Sequence, residues 1–105
     1  MDCLFCKIAA KKIPATIVWA GDGLLAFKDI HPKAPIHVLL IPTQHVESLA
    51  HVTEADAAML GKLFAAVPKV AEVIGLKERG FKTVINTGKA GGQEVPHLHV
   101  HILGG

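Results

Sequence analysis

In the stretch His97-Leu98-His99-Val100-His101-Ile102-Leu103, histidines alternate with aliphatic residues up to the final Ile102-Leu103 pair. A period of two is the period of a β-strand, so the pattern predicts a strand over 97–103. The three imidazoles then lie on one face, and the aliphatic side chains face the core. Same-face neighbours lie about 6.6 Å apart along a strand, which places His97 and His101 about 13 Å apart. This span argues against one metal ion binding all three rings.

Two kinds of chemistry fit such a row of imidazoles. A His-x-His pair on a strand can bind zinc. Alternatively, one neutral imidazole can act as a nucleophile while its neighbour transfers a proton, since the pKa of histidine lies near neutral pH. The spacing alone does not choose between these possibilities.

A glycine-rich loop precedes the histidines. Gly88-Lys89-Ala90-Gly91-Gly92-Gln93 has few side chains, so its backbone N–H groups can approach an anion closely. It lacks the Gly-Lys-Ser/Thr step of a P-loop, and a strand rather than a helix is predicted after it. Beside three histidines, the loop favours a phosphate-containing ligand.

Length and composition limit the class of protein. The 105 residues suit one domain, which we assign to residues 1–105. The formal net charge is +2, and no long run of like charges occurs, so neither nucleic acid nor a membrane surface is an expected partner. No apolar stretch is long enough to span a bilayer. The chain start lacks the layout of a signal peptide, which predicts a cytoplasmic location.

Hydrophobic periodicity and turn signals predict an α+β fold. The acids after Thr53 mark the start of a long helix, and Gly75 marks its end. On one face this helix carries Ala57, Leu60, Phe64, Val67, Ala71 and Ile74. The predicted order is a short helix over 3–10, strands over 17–20, 24–28 and 36–41, the long helix over 54–74, and strands over 81–86 and 97–103. Consecutive strands joined by tight turns pair antiparallel, which predicts a five-stranded antiparallel sheet with the long helix over one face.

The sequence resembles the histidine-triad nucleotide-binding proteins of the Hint branch. Their pattern of alternating histidines and apolar residues matches 97–103 at every position. The resemblance extends over nearly the whole chain, through Phe5–Lys7, Ile13-Pro14, Ala26–Ile30, Ala34–His37, Leu40–Pro42, Asn86 and Gly91–Val95. It implies a hydrolase for purine nucleoside phosphoramidates, with AMP or GMP as ligands. It also implies a homodimer in which two five-stranded sheets join into one.

The resemblance also implies a role for individual residues. His99 corresponds to the nucleophile that forms a nucleotidyl-histidine intermediate, and His101 to the partner that contacts the phosphate or the leaving group. The implied nucleotide-binding residues are Phe27, Asp29, Ile30, His37, Asn86, Gly92, Gln93, Glu94, His99 and His101. Pro96 replaces the aromatic residue usual before the triad. Glu94 stands where some relatives carry serine, and we expect its carboxylate to affect leaving-group preference.

The pair Cys3-x-x-Cys6 is half of a zinc site, or alternatively a pair of small buried thiols. Some histidine-triad proteins bind zinc through such a pair and two histidines, which correspond here to His45 and His97. The resemblance therefore implies a closed and structural Cys₂His₂ zinc site. Two other functions stay open at this point: a mononuclear zinc hydrolase that uses triad histidines as ligands, and a non-catalytic nucleotide-binding module.

Overall fold

The computed structural model describes residues 3–105 and contains one five-stranded antiparallel sheet. Its strands are β1 (Ile17–Gly21), β2 (Leu24–Lys28), β3 (Ile36–Pro42), β4 (Lys82–Val84) and β5 (Val100–Gly104). They lie side by side in the order β1-β2-β3-β5-β4, so β1 and β4 are the edges. The α+β prediction with an antiparallel sheet is confirmed.

The β1–β2 hairpin has the tightest connection in the sheet. Gly21 pairs with Leu24, which leaves a two-residue turn of Asp22 and Gly23. Both residues have positive φ, 54° and 76°. An Asp-Gly turn of this kind matches the twist of the flanking strands.

Two α-helices cover the sheet, α1 (Leu4–Ala9) and α2 (Ala57–Val73). Thr53 begins the α2 region as predicted, through a capping box with Asp56. The first turn, Glu54–Asp56, is 3-10 helix, so the α-helix begins later than predicted. Pro68 lies within α2. Among the described residues, no helix is long and apolar enough to cross a bilayer.

The predicted apolar face of α2 is partly wrong. Ala57 is exposed, and the Phe64 side chain is 51% exposed. The residues that α2 does bury are Leu63, Ala66, Val67, Val70 and Ala71. Val67 and Ala71 belong to both the predicted and the observed stripe, and Leu60 and Ile74 pack partly buried against the core. The observed stripe is therefore rotated toward Leu63 and Ala66 but overlaps the predicted one. Phe64 is therefore left on the outer side of the helix.

The sheet separates two hydrophobic clusters, because alternate residues of a strand point to opposite faces. On the α2 side, Val38 and Leu40 pack with the triad's aliphatic residues Leu98, Val100 and Ile102. On the other side, Leu39 and Ile41 of the same strand pack with Phe5, Ile8 and Phe27. The α1 side is also the side on which His99 contacts Phe5.

The last strand is shorter than predicted at its start. β5 begins at Val100, and 97–99 lie in a bend and an irregular extended segment. The backbone N–H of His97 donates to the Val95 carbonyl and that of Leu98 to the Val46 carbonyl, so neither joins the sheet ladder. The alternation of side chains continues through this segment nonetheless, since Leu98 belongs to the α2-side core. Similarly, β4 spans only Lys82–Val84 rather than 81–86.

Candidate active site and metal cluster

The central triad residue, His99, is held by its neighbour's backbone. Its Nδ1 lies 2.7 Å from the carbonyl oxygen of His97. A carbonyl can only accept, so Nδ1 must carry the proton and the lone pair of the neutral ring is on Nε2. The edge of Phe5 packs against this ring, with centroids 5.1 Å apart. His99 is thus fixed in both orientation and tautomer.

A second chain of hydrogen bonds fixes His101. The backbone N–H of Lys33 donates to Nδ1 of His37 at 3.1 Å. The proton of the neutral His37 ring is therefore on Nε2, which lies 2.9 Å from Nδ1 of His101. His101 accepts there and carries its own proton on Nε2. The Oδ2 atom of Asp29 lies 3.4 Å from His37 Nε2 and can share this proton.

Burial keeps these rings neutral near pH 7. It lowers the pKa of His101 to about 4, and the nearby His99 and His37 rings reinforce the effect. Burial also lowers the pKa of His37 and of His99, and the Asp29 carboxylate opposes the shift in both. The lone pair on His99 is therefore not lost to a proton near neutral pH.

A cleft of about 550 Å³ opens over His99 and His101. It brings together most residues of the predicted nucleotide site: Phe27, Asp29, Ile30, Asn86, Gly92, Glu94, His99 and His101. His37 and Gln93 do not line it. His37 lies behind His101, and Gln93 lies within the loop that borders the cleft. The structure thus places these two as supports of the site.

Side chains of the loop over 86–93 hold its own backbone. Asn86 donates from Nδ2 to the Gly91 carbonyl at 2.8 Å. The Gln93 side chain accepts from the Gly88 N–H at 2.9 Å and donates to the Glu47 carbonyl at 2.7 Å. At Gly91, a Cβ would lie 2.3 Å from the Thr87 carbonyl oxygen, so only glycine fits. The loop is therefore shaped before any ligand binds.

The apolar side of the cleft was not predicted from the sequence. Phe5 contacts three rings edge to face, with centroids 5.3 Å from Phe27, 5.9 Å from His97 and 5.1 Å from His99. The other missed aliphatic lining residues are Leu4, Ile8, Ile13, Leu39 and Val95. The helical spacing of Leu4, Phe5 and Ile8 was the available signal, but it indicates burial rather than contact with a ligand.

The four predicted metal ligands do come together. One donor atom from each of Cys3, Cys6, His45 and His97 lies within 4.8 Å of all the others. Nδ1 of His97 is 3.4 Å from Sγ of Cys3 and 3.5 Å from Sγ of Cys6, and Nδ1 of His45 is 3.3 Å from Cys6 Sγ. Two thiols and two imidazoles are a donor set that suits a tetrahedral metal ion. The residues therefore form a cluster that could hold one.

The tautomer of His97 agrees with a metal ligand. Its Nε2 lies 2.7 Å from the Pro42 carbonyl, so Nε2 carries the proton and Nδ1 offers its lone pair to the cluster. Burial raises the pKa of the Cys6 thiol, and its contact with Cys3 raises it further. A metal ion binding here must therefore displace thiol protons.

A second group of possible ligands lies at the cleft. Atoms of Asp29, His37 and His101 are also within 4.8 Å of one another. In this group the two rings already satisfy each other through the hydrogen bond described above.

The fold and the histidine arrangement together define a histidine-triad domain. The HIT domain family model matches residues 10–105, and this chain belongs to that family. It is 55% identical over 103 residues to the protein HitA of Neisseria gonorrhoeae, covering 98% of this chain and 95% of the relative. It is 39% identical over 104 residues to a purine nucleoside phosphoramidase of Escherichia coli K12, covering 99% and 87%. The crystal structure of a HIT family hydrolase from Legionella pneumophila superposes with a TM-score of 0.94 at 45% identity, covering 99% of this chain and 93% of that chain.

Proposed function

We propose that this protein is a hydrolase that cleaves nucleoside 5′-phosphoramidates, in which an adenylate or similar nucleotide is joined to an amine. The observation that carries the proposal is the hydrogen bond from His99 Nδ1 to the His97 carbonyl. It leaves an unprotonated Nε2 on a fixed ring in a cleft of nucleotide size. The phosphoramidase name of the Escherichia coli relative supports this reaction class.

The first half-reaction forms a bond between His99 Nε2 and phosphorus and breaks the P–N bond of the substrate. The departing amine takes up a proton, and we assign its delivery to His101, supported by His37. A bound phosphate anion favours the protonated form of a nearby imidazole, so substrate binding raises the pKa of His101 from its low value. Water then attacks the phosphorus from the side that the amine has left and gives its proton to His101. The bond between phosphorus and His99 Nε2 breaks, which releases the nucleoside monophosphate and frees His99.

The cleft lining supports distinct roles for its two sides. Asp29 accepts from the ribose hydroxyls, while Phe27 and Ile30 contact the purine of AMP or GMP. The Ile30 side chain is 83% exposed at the rim of the cleft, so a base can cover it. On the other side, Asn86 and Gly92 border the phosphate, and Gln93 holds the loop in place.

We further propose that the Cys3, Cys6, His45 and His97 cluster binds a structural zinc ion. When bound, zinc links α1 to the segment before β5. All four ligands come from the protein, so the site is closed. The cluster would contribute to catalysis by positioning His99. His97 would bind the metal through Nδ1, and its backbone carbonyl orients the His99 ring.

A homodimer is the proposed assembly. Two exposed apolar aromatic side chains are Phe64 on α2 and Phe81 directly before the edge strand β4. A second copy that pairs with β4 would extend the sheet and cover exposed apolar area beside this edge. Sedimentation at micromolar concentration is expected to give about twice the 11.1 kDa chain mass.

The competing function is a mononuclear zinc hydrolase that uses two triad histidines as ligands. The group of possible ligands at the cleft holds only one of them, His101, together with Asp29 and His37. Chelation separates the two functions. Removal of a catalytic metal abolishes turnover at once, whereas a phosphoramidase using His99 loses turnover only as far as its fold loosens.

The decisive experiment is incubation with adenosine 5′-phosphoramidate and measurement of AMP release, followed by rapid acid-free quench and mass spectrometry. We expect turnover and a transient nucleotidyl adduct on His99. Binding of AMP without any turnover would indicate the non-catalytic module instead. An adduct mapped to His101 would contradict the assignment of the nucleophile.

A further inference from the structure

Glu94 differs from the other carboxylate that lines the cleft. Asp29, the other carboxylate, accepts from the His31 N–H at 2.8 Å and lies 3.4 Å from His37 Nε2. Glu94 is exposed and has no hydrogen bond or ion pair within the described residues 3–105. Lys28 and Lys33 also line the cleft, yet neither pairs with Glu94. Among residues 3–105, the cleft therefore presents one carboxylate that no other side chain neutralises.

The backbone on both sides of Glu94 is fixed. The Gln93 side chain donates from Nε2 to the Val95 carbonyl at 3.0 Å, so one hydrogen bond spans the residue. The Val95 carbonyl also accepts from the His97 N–H at 2.8 Å. Pro96 further restricts the conformation of Val95. Although its side chain is exposed, Glu94 is thus anchored between the phosphate-side loop and the triad.

The position of Glu94 is electrostatically unfavourable for a substrate whose leaving group carries no positive charge. Glu94 follows the loop that borders the phosphate, so its carboxylate adds a negative charge beside an anion. A positive charge on the group attached to phosphorus would remove this repulsion and gain an attraction.

We propose that Glu94 forms a leaving-group subsite that selects phosphoramidates of amines carrying a second, cationic group. The inference rests on the proposed function and adds the substrate class. The nucleoside occupies the Asp29 side of the cleft, so the departing amine is left with the side that Glu94 lines. Amines with a free carboxylate, such as simple amino acids joined through nitrogen, are disfavoured there by like-charge repulsion.

Three AMP phosphoramidates of similar length test this selection: those of 1,4-diaminobutane, butylamine and 4-aminobutyrate. They leave a positive, a neutral and a negative group beyond the P–N bond. For the wild-type protein we expect kcat/KM to fall in that order, by about three- to fivefold for each unit of charge, as suits a partly exposed ion pair. Raising the salt to about 0.5 M should shrink the differences, because the Debye length becomes short.

Glu94→Gln removes the charge and keeps the shape. We expect the three kcat/KM values to converge to within about twofold, and Glu94→Lys to reverse their order. Glu94→Asp keeps the charge and should keep the order. The matched control is Glu78→Gln, which removes an exposed carboxylate that does not line the cleft and should leave the wild-type order intact.

The possible results distinguish failure of the subsite from failure of the proposed function. Turnover of all three compounds at similar kcat/KM, or an unchanged order in Glu94→Gln, overturns the subsite and leaves the proposed function standing. No turnover of any of the three contradicts the proposed function itself. Should the Glu94 variants fold poorly, the salt dependence of the wild-type order still decides, because an order that salt does not affect is not electrostatic.

Discussion

His97 and His99 are neighbours on the same alternating segment, yet they belong to two different clusters. His97 donates from Nε2 to the Pro42 carbonyl and turns Nδ1 toward the two cysteines. His99 donates from Nδ1 to the His97 carbonyl and turns Nε2 toward the cleft. The backbone acceptor that each ring meets therefore determines whether an imidazole is placed to bind a metal or to attack a substrate.

The largest expected effect is the loss of the nucleophile. His99→Ala should reduce kcat by about 10⁴–10⁶, as removal of a nucleophile does in other enzymes that form a covalent intermediate. AMP binding should persist, because the other lining residues remain. Stopped assays with adenosine 5′-phosphoramidate and calorimetry with AMP measure the two properties separately. Near wild-type turnover in this variant would contradict the assignment of His99, rather than His97, as the nucleophile.

The metal cluster should affect stability first. Elemental analysis of the wild-type protein is expected to find about one zinc per chain. In Cys3→Ser/Cys6→Ser, the zinc should be absent and the melting temperature lower by roughly 10 °C or more, since a ligand bound only by the folded state stabilises it. Turnover should fall as His97 loosens. Two results together would refute the zinc site. The wild-type protein would hold no metal and have two titratable thiols, and the double variant would melt at the same temperature as the wild type.

The proton-delivery side should give a smaller effect than the nucleophile. His101→Ala should lower kcat by about 10²–10⁴, the usual contribution of a general acid. His37→Ala acts through His101 and should have a smaller effect, and we expect it to change the pH profile of kcat. In both variants the nucleotidyl adduct should still form on His99. If His101→Ala lowers kcat as much as His99→Ala does, separate roles for the two rings are contradicted.

The smallest expected effect is on the pH dependence of the free energy of unfolding. The pKa of His101 is about 4 in the folded protein and near 6.5 when unfolded, so between these values unfolding takes up about one proton at this residue. The free energy of unfolding therefore falls as the pH drops from 6.5 toward 4. Urea unfolding of wild type and His101→Gln at pH 7 and pH 5 measures this. The pH-dependent loss should be smaller in His101→Gln, and equal losses would contradict the shift.

Much of this architecture can be predicted from the sequence. The Asp22-Gly23 turn, the Thr53 cap and the alternating histidine segment predict the first hairpin, the start of α2 and the last strand, because each depends on local chemistry. The rotation of the α2 stripe is different: Phe64 and Leu63 both suit an apolar face, and only packing against the sheet selects Leu63. The late start of β5 also depends on a distant group, the Val46 carbonyl that takes up the Leu98 N–H.

The candidate site also has one part that can be predicted from the sequence and another that cannot. Most of its polar residues follow from the family resemblance, and of those predicted only His37 and Gln93 do not line the cleft. Lys28, His31 and Lys33 line the cleft without having been predicted. The tautomers of the three triad rings could not be predicted, because they depend on where the Pro42 carbonyl, the His97 carbonyl and the His37 ring lie. Nor could the role of Phe5, since its packing against His99 joins an N-terminal helix to a segment far along the chain.

The contact between Cys3 and His97 joins residues 94 positions apart. The chain must close this long loop before the cluster exists, and such non-local contacts slow folding. During synthesis, α1 and the first hairpin can form early, while the four-residue cluster has to wait until residue 97 is available. Zinc captured before then could bind only a partial set of ligands. Because the cluster needs His97 and the cleft needs His99 and His101, neither can be completed before this part of the chain has been synthesised.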